Sequence, residues 1–158
     1  FVLGSKFLAQ FGGKLLPEID QLNIARTRFR LEHGDALCTD DIAYQRFKKI
    51  IRHPLLLGLL KRTPLSFRKK LANGFRQQSH QAQQFKSYEV MDVNDQAVEL
   101  ALQDVDVLIH GHTHRAAIHP LGQKKRIVLG DWKEDSAEIL EIQENQDFES
   151  LKLKKWRY

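Results

Sequence analysis

The chain has 158 residues, 42% hydrophobic and 28% charged, enough for one ordinary globular core and too apolar for a disordered or collagen-like protein. Its longest apolar stretch, Pro54 to Leu60, falls far short of the roughly 20 residues that cross a bilayer, and its first residues do not resemble a signal peptide, so a cytosolic-type soluble protein is expected. One cysteine, Cys38, excludes an internal disulfide and a cysteine-based zinc site. The chain opens on Phe1 and its only methionine is Met91, so it reads as lacking an N-terminal part.

Charge is distributed unevenly. The net charge is +5, yet residues 42–88 hold eleven Lys and Arg with no Asp or Glu, while the remainder holds fourteen basic and twenty acidic residues. A basic block in an otherwise acidic chain suits an anionic partner such as nucleic acid, a phosphate-bearing substrate or membrane headgroups. Leucines and Phe67 run through the block beside Lys61, Arg62, Arg68, Lys69 and Lys70, a mixture that suits a lipid-facing surface. The alternative is a solvated helical face over a core.

In chain order, residues 5–11 read as a helix end stopped by Gly12 and Gly13. Residues 27–32 alternate, Phe29 and Leu31 against Arg28, Arg30 and Glu32, which is the period of a half-buried strand running straight into His33-Gly34-Asp35. Thr39 is a plausible N-cap for a helix with Ala43, Tyr44, Phe47, Ile50 and Ile51 on one stripe, closed by His53-Pro54. Residues 54–87 read as short helices broken by Pro64 and Gly74. Residues 94–102 are helical by spacing, and 105–109 are a short apolar run of the kind buried on both faces. That run ends in His110-Gly111-His112-Thr113-His114-Arg115. Strands are expected over 116–119, 126–129, 138–142 and 148–156. The order is α/β, with helices inserted early and an antiparallel-capable series late.

Placement singles out the histidines. In an extended loop after a buried strand, His112 and His114, two positions apart, would present imidazoles to one site while Gly111 lets backbone approach. His33 also ends a strand, and ligands at the carboxyl ends of strands in an α/β sheet converge on one crevice. Imidazole suits Mn, Fe, Zn or Ni rather than Ca or Mg. His110, His53, His80 and His119 read as ordinary core or surface histidines. Asp35, Asp40 and Asp41 are the acidic residues nearest these histidines, and none has the spacing of a bridging ligand, so further ligands are expected outside this chain.

The strings HGDALCTDD over 33–41, MDVN over 91–94, LIHGHTHR over 108–115 and VLGDW over 128–132 resemble the UDP-2,3-diacylglucosamine hydrolase family of lipid A biosynthesis, a branch of the calcineurin-like metallophosphoesterases. The resemblance implies an α/β fold, a β-sandwich flanked by helices, with this chain as the C-terminal part of one domain and residues 42–88 as a helical lid inserted in it. It implies a dinuclear manganese site with His33 and His112 on one ion and His114 on the other, His112 also near the phosphate. It places substrate contacts on Asp41, Ser79, Gln83 and Lys86. The implied reaction is water attack on the α-phosphorus of UDP-2,3-diacylglucosamine at the cytoplasmic face of the bacterial inner membrane, releasing UMP and 2,3-diacylglucosamine 1-phosphate. Two Mn2+ ions, the lipid substrate and an anionic membrane surface are the expected cofactors and partners, with no nucleic acid and no obligate protein partner. The 158-residue chain alone is expected to be inactive. The competing readings are a related phosphoesterase with a soluble nucleotide substrate, which leaves the leucine-rich basic block unexplained, and a non-enzymatic nucleic-acid-binding module, which lacks aromatics at stacking intervals.

Overall fold

The structure is a computed structural model that describes residues 8–84, 90–143 and 150–157, with backbone alone over 78–84. Two compact units emerge, one formed by residues 39–92 and the other by the rest. The α/β expectation holds for the larger unit.

Its main sheet has five strands in the order β1-β2-β3-β5-β4: β1 Ile19–Ile24, β2 Thr27–Glu32, β3 Val107–His110, β4 Ala117–Leu121 and β5 Lys124–Val128. Strand β3 pairs in parallel with both β2 and β5, while β1 and β4 add antiparallel edges. All four residues of β3 are buried, as expected of a strand with parallel neighbours and both faces covered. On one face, Phe29, Val107, Ile109 and Ile127 pack with Leu151 and the partly buried Leu140, Ile142 and Leu153, so that a second sheet lies over the first. That second sheet is β6 Ser136–Leu140 paired antiparallel with β7 Leu153–Arg157. On the other face Leu108 packs with Leu37, Val105 and three residues of the helical stretch after Asn94, namely Val98, Ala101 and Leu102.

Among the described residues the smaller unit holds three helices, α1 Ile42–Ile51, α2 Pro54–Arg62 and α3 Leu65–Gln84. Three expectations are corrected here. The cap of α1 is Asp41 rather than Thr39: Tyr44 N–H donates to its Oδ1 at 3.0 Å, a carboxylate serving the orphan donors of a first turn. The buried stripe of α1 omits Ala43 and Ile50, both exposed, and keeps Tyr44, Phe47 and Ile51. Gly74 does not break the chain, since α3 runs through it for 20 residues. A mid-helix glycine costs only about 1 kcal/mol relative to alanine, and the long-range contact of Phe75 with Phe47, edge to face at 5.3 Å between ring centroids, lies one residue further on. Pro64 does end α2, as expected.

Strand β1 was not expected. Its partly buried Leu22 and Ile24 join the inter-sheet core, but the two-residue turn to β2 is Ala25-Arg26, with Ala25 at φ 52°, where no glycine or asparagine advertises a hairpin. Strands β4, β5 and β6 sit within two residues of their expected bounds, whereas β7 begins at Leu153, five residues after the expected 148; residues 148–149 lie outside the described residues and 150–152 are not in a strand. The fourth helix, α4 Asp95–Ala101, is capped by Asn94, whose Oδ1 accepts from Ala97 N–H at 3.2 Å. Lys124 closes its other end by donating through Nζ to the carbonyls of Leu102 and Gln103.

An ion pair at the entry of β2 and β3 fixes their register. Arg28 grips Asp106 through Nη2 at 2.8 Å and Nε at 3.1 Å, its own N–H donates to the same carboxylate at 2.8 Å, and Asp106 N–H returns to Arg28 O at 2.9 Å. Pinned there, the strands run level, and Glu32 pairs with His110 at their far ends. The Arg28 side-chain bond, then its backbone N–H, hold the Asp106 carboxyl below the usual carboxylate range. A carboxyl depressed in the folded state stabilises the protein above its unfolded pKa of about 3.9 and loses that contribution as pH falls through the lower folded value. Asp106→Asn is therefore expected to melt below the parent at pH 7, with the gap narrowing in melts taken below about pH 4; a gap constant with pH would contradict the pairing.

Candidate metal centre

Because β2 and β3 are level, the residues that follow each emerge side by side. His33 follows β2, and its carbonyl accepts from Gly111 N–H at 3.1 Å, tying the two loops together one residue beyond the sheet. The imidazoles of His33 and His112 face each other with ring centroids 5.2 Å apart and planes tilted by 57°. His33 is 61% exposed at its side chain, whereas Asp35 behind it is 1% exposed and meets its Nδ1 at 3.2 Å. A buried carboxylate on Nδ1 fixes the ring and leaves Nε2 as the donor atom, which is how metal-ligating histidines are ordinarily held. Sequence reasoning considered Asp35 as a bridging ligand and set it aside for its spacing. What it missed is the turn at Gly34, whose φ of 99° folds Asp35 back onto the imidazole two residues earlier. A glycine between a histidine and an aspartate at a strand end was the available signal.

The loop after β3 is not extended. His112 has φ 67° and His114 φ 55°, both left-handed, and Thr113 N–H closes on Gly111 O at 2.8 Å. A bond from residue i to i+2 around a positive φ is the strained hand of the γ-turn, and such strain gathers at functional sites. The alternation expected of His112 and His114 therefore fails as geometry, and His114 is exposed with no ring contact to the other two among the described residues. Among those residues no group of three His, Cys, Asp or Glu is arranged to hold a metal ion. His33 and His112 with Asp35 thus fit part of a divalent-ion site and not the whole of one.

Of the other expected positions, Asp41 is 8% exposed and engaged as the cap of α1. Ser79 and Gln83 lie on α3 where only the backbone is described, and Lys86 lies outside the described residues.

The sequence is 40% identical over 154 residues to the UDP-2,3-diacylglucosamine hydrolase of Haemophilus influenzae strain PittGG, covering 96% of this chain and 65% of that protein. This chain is similar to the UDP-2,3-diacylglucosamine hydrolases. The hydrolase of Serratia proteamaculans is 43% identical over 145 residues, covering 88% of this chain and 60% of its own length. For a Neisseria meningitidis hydrolase the figures are 42% over 144 residues, 90% and 60%. The chain therefore spans less than two thirds of the length of the hydrolases it matches, while the likeness itself extends over both the histidine loops and the basic block. No family model matches the chain. Among solved structures, a Vps29 variant from Entamoeba histolytica is 17% identical with a TM-score of 0.37, covering 90% of this chain and 62% of that one, a likeness too slight to bear on the fold.

Proposed function

We propose that this chain supplies two metal-binding loops and the lipid-facing helices of a hydrolase that cleaves the pyrophosphate of UDP-2,3-diacylglucosamine, on a calcineurin-like scaffold. The observation that carries this reading is the convergence of His33, oriented by Asp35, with His112 at the level ends of β2 and β3. The fit is that of half a centre, so His33 and His112 would share an ion with ligands drawn from the part of the hydrolases that has no counterpart here. A divalent pair, manganese by resemblance to the family, would polarise the phosphoryl oxygens and lower the pKa of a coordinated water. The chain's own contribution is preorganisation. Asp35 holds one tautomer of His33, and the strained turn holds the His112 imidazole towards it, so neither ring has to be ordered when a phosphate arrives. His114, Asp41, Ser79, Gln83 and Lys86 keep the roles that the family resemblance assigns them.

The lipid part of the reading is supported by the surface of residues 39–92. Leu55 is 78% exposed, Ile50 64% and Leu59 63%, with Ile42, Leu65 and Phe67 also exposed, and Lys61, Arg62, Lys69 and Lys70 stand in solvent among them. Several large apolar side chains left in water beside cations suit an anionic, acyl-bearing substrate and the bilayer face that holds it. A soluble nucleotide substrate would leave that surface without a use.

The decisive assay is release of UMP from UDP-2,3-diacylglucosamine by the protein extended to the full length of its relatives, with and without Mn2+. Metal-dependent release is expected there and none from the 158-residue chain alone. Equal turnover of a soluble UDP-sugar would favour the alternative reading. Membrane association is tested separately. Each cation near an anionic surface contributes about 1 kcal/mol of attraction, which salt attenuates. Neutralising Lys61, Arg62, Lys69 and Lys70 together is expected to weaken sedimentation with phosphatidylglycerol vesicles by at least about tenfold at low ionic strength. Undiminished binding would make this block a solvated helical face.

A further inference from the structure

We infer that His110, which the proposed chemistry does not use, is the positioning residue that sets His33 and His112 at their separation; the inference rests on the metal reading above only for its consequence. His110 is the last residue of β3 and 1% exposed. Its Nδ1 lies 3.0 Å from Gly111 O. A carbonyl only accepts, so Nδ1 carries the proton. Its Nε2 lies 3.5 Å from Arg126 Nη1, a group that only donates, so the same neutral tautomer satisfies both contacts.

Two loops depend on that ring. The Gly111 carbonyl that receives Nδ1–H also receives Thr113 N–H, the bond that closes the turn around His112. With its direction set from one side by His110, that carbonyl determines where the His112 imidazole stands. At that same Nδ1 edge the ring is packed against Gly34, so closely that a Cβ there would lie 2.7 Å from Nδ1 and 3.1 Å from His110 Cβ. Gly34 directly follows His33, whose carbonyl holds Gly111 N–H. The Nδ1 edge of His110 is therefore a wedge between the two loops, packed on the His33 loop and hydrogen-bonded into the His112 loop. Leu129 N–H, donating to His110 O at 2.8 Å, anchors the wedge to the end of β5.

Amide side chains separate this role from simple packing. In His110→Asn the side-chain nitrogen falls near the Nδ1 position and can donate to Gly111 O; in His110→Gln it falls near Nε2; His110→Leu fills space and donates nothing. The readout is hydrogen exchange of the Gly111 amide in the whole 158-residue chain, with the Val107 and Ile127 amides reporting the core. Asn is expected to keep Gly111 protection within about threefold of the parent, and Gln and Leu to lose about tenfold or more, the scale of one lost buried hydrogen bond. Gln protecting as well as Asn, or Leu protecting like the parent, would overturn the proposal; should Leu unfold the core, the Asn and Gln comparison still decides. Mn2+ broadening of the His33 and His112 ring resonances is recorded for the same variants in the protein extended to the length of its relatives, where the remaining ligands are present. Exchange as expected with no Mn2+ effect in any variant leaves the wedge standing and removes the metal reading.

Discussion

His112→Ala, in the protein extended to the length of its relatives, is expected to lower Mn2+-dependent UMP release by about a thousandfold or more, equivalent to roughly 4 kcal/mol of transition-state stabilisation. The fold should survive. His112 lies on a loop outside both core clusters, and an alanine there keeps the left-handed φ of 67° at similar cost. His112→Gly should be equally inactive but melt higher than His112→Ala, because glycine occupies positive φ without the strain of about 1 kcal/mol that a side chain brings. Two inactive variants whose stabilities differ in that order would locate the loss in the imidazole. If activity instead follows the melting temperature across the pair, the loop is structural and His112 is not a ligand.

Gly34→Ala is the substitution expected to harm the fold most. At φ 99° any side chain is strained, and its Cβ would meet His110 Nδ1 at 2.7 Å and the backbone oxygen of Gly111 at 3.1 Å. The far end of a flexible side chain could move aside; an imidazole wedged in the core and a carbonyl holding two hydrogen bonds cannot. Strain and overpacking each cost about 1–3 kcal/mol, so a loss of about 3 kcal/mol is expected, a large share of a marginal total. Gly122 supplies the control. It has φ 63° with nothing within 4 Å of an added Cβ, so Gly122→Ala should show the backbone cost alone. Urea midpoints that fall equally for the two would refute the close packing of Gly34 on His110.

What was legible in the sequence was whatever repeats with a period or sits at a strand's end. Strand β2 alternates cleanly and lies where its pattern places it, β3 announces itself as an apolar run before a polar loop, and the helix of residues 95–101 lies where its spacing places it. Hidden were features set by a single backbone angle. The Ala25 turn carries no turn residue, so β1 passed unnoticed; the positive φ of His112 converts an expected alternation into a tight turn; and Gly34 brings Asp35 round to His33. Side-chain chemistry at such positions follows from dihedral angles that a one-dimensional period cannot contain. The choice of Asp41 over Thr39 as a cap was a local competition between two good cappers one residue apart from a third, Asp40, and it went to the carboxylate at the entry of α1.

The parallel pairing of β2 with β3 also governs how the molecule reaches its native state. Arg28 and Asp106 are 78 positions apart, and the sheet cannot align until that span has been closed. Closing a flexible loop of this length is an entropic cost met before any strand contact repays it, which makes such pairings slow. Local contacts within residues 39–92 can form earlier, because their partners are near in sequence, and the bond from Asn94 N–H to Leu37 O at 2.9 Å joins the two points where that stretch leaves and rejoins the rest. Once those points meet, the distance left to search falls from the whole span to the few residues on either side. The same arithmetic lets the inserted stretch change length at little cost, since doubling a loop adds only about 0.6 kcal/mol. The histidine loops and the basic, leucine-bearing stretch can therefore diverge at different rates while sharing one chain.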